Sequence, residues 1–407
     1  LRDRRAAADR SDIRTRFADI ALLKKRLLTN GNVNKPNFKE DFILTKANYL
    51  LNHSVGRPLK TSEKNFSEQL YTPWKNSISE PWEQWLGIIN DFTTSLTRLF
   101  NAKQSEFCPQ VNLSSGLTKI LMSLDQAQSK NCVILVSEID FPGMGFALQK
   151  SLPEDCEIRF IPSNVDITNA SVWDEYLIPD VDLVFVSHAY SNTGQLSPIS
   201  QVLSMARSRN IISILDIAQS VGIVPIDLKA LNPDFMIGSS VKWLCGGPGA
   251  AYLWVNSDRL ASCNPKDVGW FSHENPFEFD IHNFRYRDSA LKFWGGTPSI
   301  APYAIAAHSI NYFTNIGLKN IRKHNQLLIE KTANALDLEF VSPREEAIRG
   351  GTMILDFGVN QQKILKNFKE HNISVDHRSH GIRISPHIYN DEEDIDQLLS
   401  VIKSTKL

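Results

Sequence analysis

The sequence lacks several features that mark common functional classes. No apolar run is long enough to span a bilayer, and no signal-peptide pattern begins at Leu1. Lysine and arginine (44) nearly balance aspartate and glutamate (45), so the net charge of −1 gives no electrostatic reason to expect nucleic acid or an acidic membrane surface as partner. We therefore expect that the protein has neither nucleic acid nor a membrane as its partner.

Cysteine is scarce and scattered along the chain. The five cysteines are Cys108, Cys132, Cys156, Cys245 and Cys263. Because no two of them form a Cys-x-x-Cys pair, they predict reduced thiols in a cytoplasmic protein rather than a disulfide framework or a zinc site.

What is present is an ordinary globular composition, 42% hydrophobic and 22% charged, over 407 residues. This length accommodates one large domain with a smaller one, or two of medium size. The first 16 residues, rich in Arg, Ala and Asp, differ in composition from the rest, and we assign them no function.

The middle of the chain alternates short apolar runs with helical patterns. Five runs, at 131–139, 182–189, 210–218, 234–240 and 249–255, predict strands, and 197–210 predicts a helix between two of them. The first three runs are nearly all apolar, as in strands covered on both faces, so the order indicates an α/β fold with a mainly parallel sheet. The last two runs are joined by a short turn, which favours an antiparallel final strand.

The flanking sequence predicts how the chain divides. Residues 81–102 have helical periodicity, and the part after about residue 303 combines helices with short strands. We therefore predict a large domain at 61–302, a smaller C-terminal α+β domain at 303–407, and an N-terminal segment, 1–60, that contributes to the small domain.

Polar residues end each predicted strand of the sheet. In open parallel sheets, ligands bind at the carboxyl ends of the strands, so these residues are candidates for a site. They are Ser137, Glu138, Asp140, His188, Asp216, Gln219, Ser239, Ser240 and Lys242.

A lysine, a carboxylate and a helix start with small residues suit pyridoxal phosphate (PLP). A lysine such as Lys242 forms a Schiff base with the cofactor's aldehyde, and an aspartate such as Asp216 keeps the pyridine nitrogen protonated. Backbone N–H groups at a helix N-terminus bind phosphate, and Ser114, Ser115 and Gly116 precede a helical pattern. Burial of Lys242 between two apolar runs would lower its pKa towards the reactive neutral amine.

Several segments carry a family pattern in order, from about residue 49 to residue 390. They are NHSVGRPL, SSGLTKIL, DFPG, SHAYSNTGQLSPI, DIAQSVG, SSVKWLCGGPG, GWFSHE, WGGTPS and GIRISPHIYN. With them the chain resembles the class V aminotransferase family of fold-type I PLP enzymes, which includes cysteine desulfurases and kynureninases.

The resemblance implies roles for individual residues and a homodimer with shared active sites. Phe141 would stack on the cofactor, Gln219 would approach its phenolic oxygen, and Thr297 would reach the neighbouring subunit's phosphate. His188, Ser239 and Trp270 are further cofactor-binding candidates. Arg383 would bind the substrate carboxylate, because its planar fork meets a carboxylate bidentately, and His53 is a second substrate-binding candidate. The sequence leaves open that Arg383 instead pairs with Asp376.

Departures from the family pattern reduce the number of reactions that the protein is expected to catalyse. No cysteine follows Cys263, which disfavours a desulfurase that transfers sulfur to its own thiol. Val241, Met144 and Gln219 stand where kynureninases carry Tyr, Asp and His. We therefore expect a PLP enzyme acting at the α-carbon of an amino acid, as a transaminase or a C–S or C–C lyase. A kynureninase-like hydrolase and a catalytically silent scaffold protein remain alternatives.

Overall fold

The computed structural model describes residues 38–338 and 340–405. The first 16 residues, and most of the N-terminal segment predicted at 1–60, lie outside this range. Among the described residues, no helix is long and apolar enough to cross a membrane.

A seven-stranded sheet forms the centre of the molecule, in the order β2-β8-β7-β6-β5-β3-β4. Its strands are β2 (Phe107–Gln110), β3 (Val133–Ser137), β4 (Glu157–Ile161), β5 (Leu183–Ser187), β6 (Ile212–Asp216), β7 (Phe235–Ser239) and β8 (Ala251–Val255). The five strands from β4 to β7 pair in parallel, and β8 pairs antiparallel with both β7 and β2. The mainly parallel sheet and the antiparallel β8 were both predicted, and the α/β fold is confirmed.

Side chains alternate between the two faces of the sheet, so two hydrophobic cores form. Leu135, Val186 and Leu215 belong to the core on one face. Ile134 and Phe185 belong to the core on the other face. This explains why β3, β5 and β6 read as continuous apolar runs, since every residue in them is buried.

Helices cover both faces of the sheet. The helices up to the end of the predicted large domain are α1 (Ser62–Phe66), which continues as a π-helix (Ser67–Tyr71), α2 (Thr72–Asn76), α3 (Trp82–Phe100), α4 (Leu113–Ser123), α5 (Pro142–Ser151), α6 (Ala170–Tyr176), α7 (Ile199–Ser208) and α8 (Leu228–Leu231). Helices α4 and α5 start directly after β2 and β3, so their N-termini lie near the carboxyl edge of the parallel strands.

The C-terminal part contains a smaller sheet with its own core. Strands β9 (Met353–Leu355), β11 (Asp376–Arg378) and β12 (Gly381–Ile384) form an antiparallel sheet. The helices of this part are α9 (Ala301–Ile316), α10 (Leu318–Ala335), α11 (Gln361–Glu370) and α12 (Glu392–Ser404). Helix α9 packs with α3 in the core of the large sheet, so it joins the two predicted domains, whose boundary stays a prediction.

The N-terminal segment packs on the C-terminal part. Strand β1 (Asn48–Tyr49) pairs in parallel with β10 (Ile373–Ser374), and Leu50 lies in the C-terminal core. The chain then crosses to the large sheet at Gly56, whose N–H donates to the Val241 carbonyl at 2.9 Å. This crossing brings the N-terminal segment to the turn that carries Lys242.

Candidate active site

A cavity of about 280 Å³ lies at the carboxyl ends of β5, β6 and β7. Each of these strands ends in a residue that lines it, namely Ser187, Asp216 and Ser239. The starts of α4 and α5 and the turn after β7 complete the wall. The cavity therefore occupies the position at which open α/β sheets bind ligands.

Lys242 lies in the turn after β7 and lines this cavity. Burial lowers the pKa of Lys242; the Asp216 carboxylate opposes this shift and the Arg383 charge adds to it. Within the described residues its amine makes no hydrogen bond or ion pair. A partly buried amine without a partner and with a lowered pKa is suited to bond to an aldehyde.

The turn that carries Lys242 is held by close backbone packing. A Cβ added at Gly56 would lie 2.2 Å from the Lys242 carbonyl oxygen and 2.4 Å from the Cys245 Sγ, so only glycine fits. The Ser240 N–H donates to Ala250 O at 3.1 Å, which ties the start of the turn to β8. This packing fixes the backbone from which the Lys242 side chain extends.

Asp216 and Gln219 extend into the cavity from the end of β6 and the turn after it. The Asp216 Oδ1 accepts the Ala218 N–H at 2.7 Å, and Oδ2 has no hydrogen-bond partner among the described residues. Burial raises the pKa of Asp216, while the Ala218 N–H and the Lys242 charge oppose the shift. Gln219 donates from Nε2 to the His53 carbonyl at 3.1 Å, which links the cavity to the N-terminal segment. One carboxylate oxygen of Asp216 is thus left for a ligand.

The N-terminus of α4 faces the same cavity. Asn112 caps the helix by accepting the Ser115 N–H at 2.8 Å, and the Leu113 and Ser114 N–H groups make no hydrogen bond within the described chain. Of the predicted phosphate-binding residues, Ser114 lines the cavity, whereas Ser115 contributes to the cap and Gly116 packs against β7. Free N–H groups at a helix start suit a phosphate.

Phe141 forms another wall, immediately before α5. Its ring lines the cavity and its side chain is 55% exposed, which is unusual for a phenylalanine beside a buried sheet. Met144, one turn further along α5, also lines the cavity. An exposed aromatic face at this position suits stacking on a flat ring.

Besides Ser115 and Gly116, three more predicted cofactor residues do not line the cavity: His188, Trp270 and Thr297. His188 follows Ser187 and precedes Ala189, both of which line it, so strand alternation turns the His188 side chain to the opposite face of the sheet. There His188 lines a separate cavity. Trp270 donates from Nε1 to Thr297 Oγ1 at 3.3 Å, and neither residue lines the cavity described here. The expected contact of Thr297 with the neighbouring subunit's phosphate stays a prediction.

The predicted substrate residues Arg383 and His53 are held by Asp376. Arg383 donates to both Asp376 oxygens, from Nε at 2.9 Å and from Nη2, and Asp376 lies opposite it in the β11–β12 pair. His53 is 1% exposed and contacts Asp376 Oδ1 at 2.8 Å through Nε2. Burial raises the pKa of Asp376, but the His53 and Arg383 hydrogen bonds outweigh it and hold that pKa well below its usual range. The intrachain pairing that the sequence left open is thus present.

Arg383 still reaches the cavity wall through its remaining nitrogen. Its Nη1 donates to the carbonyl oxygen of Ser191 at 3.2 Å, and Ser191 lines the cavity. The guanidinium therefore sits behind the wall, with two nitrogens directed at Asp376 and one at the backbone beside the site.

Sequence reasoning did not assign a role to Asp140, although it ends a predicted strand. Its Oδ2 accepts the Ser137 N–H at 2.9 Å, and its buried Oδ1 has no partner. Burial raises the pKa of Asp140 to about 7. The Ser187 hydroxyl and the Ser137 N–H favour the charged carboxylate and oppose this rise in pKa. Tyr190, which lines the cavity and is almost fully buried, was also missed, since nothing in its local pattern distinguishes it from a core residue.

The sequence profile of the Aminotransferase class-V family matches residues 57–398. The chain belongs to this family. It is a PLP-dependent enzyme with the fold-type I architecture, so the silent-scaffold alternative falls away.

Similar proteins include members with different activities. A kynureninase from Shouchella clausii (strain KSM-K16) is 26% identical over 388 residues, covering 90% of this chain and 90% of that protein. A cysteine desulfurase from Thermococcus onnurineus NA1 has the same fold, with a TM-score of 0.78 at 19% identity, covering 88% of this chain and 94% of that one. A cystine C-S lyase, C-DES, superposes with a TM-score of 0.80 at 21% identity, covering 89% and 98%.

The residues of the cavity fit the cofactor of the family. They offer an amine without a partner, a free carboxylate oxygen, unbonded N–H groups at a helix start and an exposed aromatic ring. These match the aldehyde, the ring nitrogen, the phosphate and the ring face of PLP.

Proposed function

We propose that the protein acts at the α-carbon of an amino acid, as a transaminase or a C–S or C–C lyase, with Lys242 as the attachment point of PLP. The observation that carries the proposal is the amine of Lys242, which has a lowered pKa and lines the same cavity as Asp216. When bound, PLP supplies a ring that stabilises negative charge developing at the α-carbon.

Each wall of the cavity has its own part in this proposal. Asp216 holds a proton on the ring nitrogen through its free oxygen, and Gln219 orients the ring edge. Ser239 and the start of α4, through its free Leu113 and Ser114 N–H groups, would bind the phosphate, while Phe141 would cover one face of the ring. The Lys242 amine would remove or return the proton at the α-carbon as a general base or acid.

The cavity lining favours this class over hydrolysis of kynurenine. Val241, Met144 and Gln219, the three positions that depart from the kynureninase pattern, all line the cavity. Val241 places a hydrocarbon side chain beside Lys242, where a tyrosine would offer a hydroxyl for proton transfer. The volume of about 280 Å³ lies just below the usual range for ligand sites and has to hold the cofactor as well, which favours a small amino acid over a peptide.

A kynureninase-like hydrolase is the second candidate function. The 26% identity to a curated kynureninase over 90% of the chain favours it, as does the GWFSHE segment. The two candidates differ in their substrate and products, so one panel of substrates separates them.

We further propose that Arg383 and His53 lie on the substrate side of the site. The Arg383 Nη1, directed at Ser191 on the wall, would meet the substrate carboxylate. His53 holds Asp376 in place and, through its backbone carbonyl, positions Gln219.

A homodimer that completes the site is also proposed, for a cytoplasmic protein. Trp270 stacks with Phe279 and packs edge-on against Phe277, and these two phenylalanines are exposed. Exposed aromatic clusters are typical of interface cores. On this proposal the partner's surface covers the cluster, and Trp270 and Thr297 act in the partner's cavity.

The test is an absorbance spectrum of the purified protein, followed by incubation with cysteine, cystine, alanine, aspartate, glutamate and kynurenine. We expect a yellow protein whose band changes with one of the small amino acids. Loss of the band with formation of a keto acid indicates transamination, and a returning band with released pyruvate or alanine indicates a lyase. Turnover of kynurenine alone would replace the first proposal by the second. If none of the six compounds is turned over, neither proposal holds for these substrates.

A further inference from the structure

A second cavity lies on the opposite face of β5 from the candidate active site. Its volume is about 670 Å³, within the range of small-molecule sites. His188, Ser197 and Gln201 line it from the large domain, and Arg322 and Glu346 line it from the C-terminal part. The family comparison assigns no role to this space.

Two buried nitrogen atoms at this cavity have no hydrogen-bond partner. His188 is 6% exposed, and its Nδ1 is completely enclosed without a partner. The Nη1 of Arg322 is also buried without a hydrogen-bond partner. The Nη2 of Arg322 donates to the carbonyl oxygens of Glu346 and Arg349 at 2.8 and 3.0 Å. Leaving a buried polar group unpaired costs free energy, which a ligand atom that pairs with the group would recover.

The charge around the cavity favours an anion. Burial lowers the pKa of His188 to about 3, and the positive charge of Arg322 adds to this shift, so the imidazole is neutral. The nearest carboxylate to Arg322 is that of Glu346, 3.8 Å from its Nε and half exposed. An adjoining cavity of about 310 Å³ shares Arg322 and Glu346 and adds Lys319, Lys323 and Glu330, so three basic side chains face two carboxylates.

We propose that this second cavity binds a small molecule through a carboxylate or phosphate group placed between Arg322 and His188. The guanidinium supplies charge-assisted hydrogen bonds, and the neutral imidazole donates one hydrogen bond without a charge of its own. Lys319 and Lys323 attract the anion along the adjoining cavity. The proposal does not depend on the reaction catalysed at Lys242.

The second cavity is joined to the active site by the backbone of β5 and β6. The His188 N–H donates to the Asp216 carbonyl at 2.8 Å, and the two neighbours of His188 line the active-site cavity. A ligand held by His188 therefore contacts the segment that positions Asp216.

Calorimetric titration of the PLP-loaded protein with inorganic phosphate, and separately with succinate, tests the proposal at low ionic strength. We expect saturable binding at one site per chain by at least one of the two anions, and the tighter one identifies the ligand chemistry. Arg322→Met is expected to weaken it at least about tenfold, the loss of one charge-assisted hydrogen bond. Arg98→Met is the matched control, because Arg98 bonds to Asn311 and Asn315 away from the cavity, and it keeps the wild-type affinity.

A second variant keeps the proposal testable if Arg322→Met does not fold. Glu346→Gln removes the competing carboxylate and is expected to tighten binding several-fold. The His188 ring resonance, assigned by its loss in His188→Gln, is expected to shift on saturation. Absence of saturable binding to the wild-type protein, unchanged affinity in both Arg322→Met and Glu346→Gln, or a His188 resonance that does not move would overturn the proposal.

Discussion

The two sides of the candidate active site differ in how their charged groups are satisfied. On the large-domain side, the Lys242 amine and one Asp216 oxygen have no partner within the described chain. On the C-terminal side, His53 and Arg383 are both paired with Asp376 through hydrogen bonds. Since burying an unpaired polar group is costly, the unpaired groups mark where a ligand binds, and the paired set is first of all structural.

Lys242→Ala removes the group on which the large-domain side depends, and we expect the largest effect from it. Turnover should fall at least about 100-fold, since the attachment point and the proton carrier are lost together. Folding should be retained, because the amine makes no hydrogen bond that alanine would break. Steady-state assays with the substrate found in the panel give the rate, and Lys366→Ala, on an exposed helix surface, is the control. Wild-type turnover in Lys242→Ala would refute the assignment.

The next largest effect on turnover is expected from Asp216→Asn. It keeps a side-chain oxygen for the Ala218 N–H but loses the negative charge, so turnover should fall by about 100- to 1,000-fold, as for other preorganised electrostatic partners. Asp234→Asn is the matched control at the opposite end of the sheet, where Asp234 accepts from the Ser213 N–H and hydroxyl. That variant should lose stability but keep its turnover per bound cofactor. Equal turnover in the two variants would contradict the role of Asp216.

The ion pair between Arg383 and Asp376 is tested by changing each of the two residues. If Arg383 binds the substrate carboxylate, Arg383→Met should raise KM about tenfold or more with a smaller effect on kcat. Asp376→Asn frees the guanidinium and should lower KM. Both variants should lose about 1–3 kcal/mol of unfolding free energy, because each breaks a partly buried ion pair. If stability falls and KM stays unchanged in both, the set is structural only.

Asp140 provides a pH-dependent comparison on the large-domain side. Its folded-state pKa of about 7 lies above the unfolded value near 3.8, so the folded protein binds the proton more tightly and stability falls as the pH rises from about 4 to 7. Between these pH values, Asp140 lowers the free energy of unfolding by at most about 4 kcal/mol. Asp140→Asn should flatten this dependence, and melting temperatures measured across that range compare the two proteins. Parallel curves would show that Asp140 is ionised in the folded protein.

The smallest effect is expected at the crossing of the N-terminal segment. Gly56→Ala forces a methyl group against the Lys242 carbonyl and should destabilise the fold by about 1–3 kcal/mol, as overpacking does elsewhere. Gly87→Ala is the matched control: it lies in α3 with nothing near its Cβ position, so it should stabilise the helix slightly. Denaturant unfolding measures both variants. Equal stability of the two would mean that the Lys242 turn is not tightly held.

Much of the large-domain side could be predicted because its residues follow strands directly. The apolar runs located the strands, and their ends carried Asp216, Ser239 and Lys242, which the structure brings to one cavity. Ser114 was predicted from small residues ahead of a helical pattern, and Phe141 from the family resemblance alone, since the strand before α4 was not predicted.

The C-terminal side was harder to predict because it depends on pairing between distant segments. The Asp376–Arg383 contact follows from the register of β11 and β12, and β11 was not recognised as a strand. The direction of His188 depends on a single step of strand alternation beyond the end of β5, which composition does not indicate.

The measurement that tests the central claim most directly is mapping of the cofactor's attachment site. The purified yellow protein is reduced with borohydride, digested, and its peptides are analysed by mass spectrometry. We expect one pyridoxyl-modified peptide, with the modification on Lys242. Modification of a different lysine, or a reduced protein with no modified peptide, would contradict it.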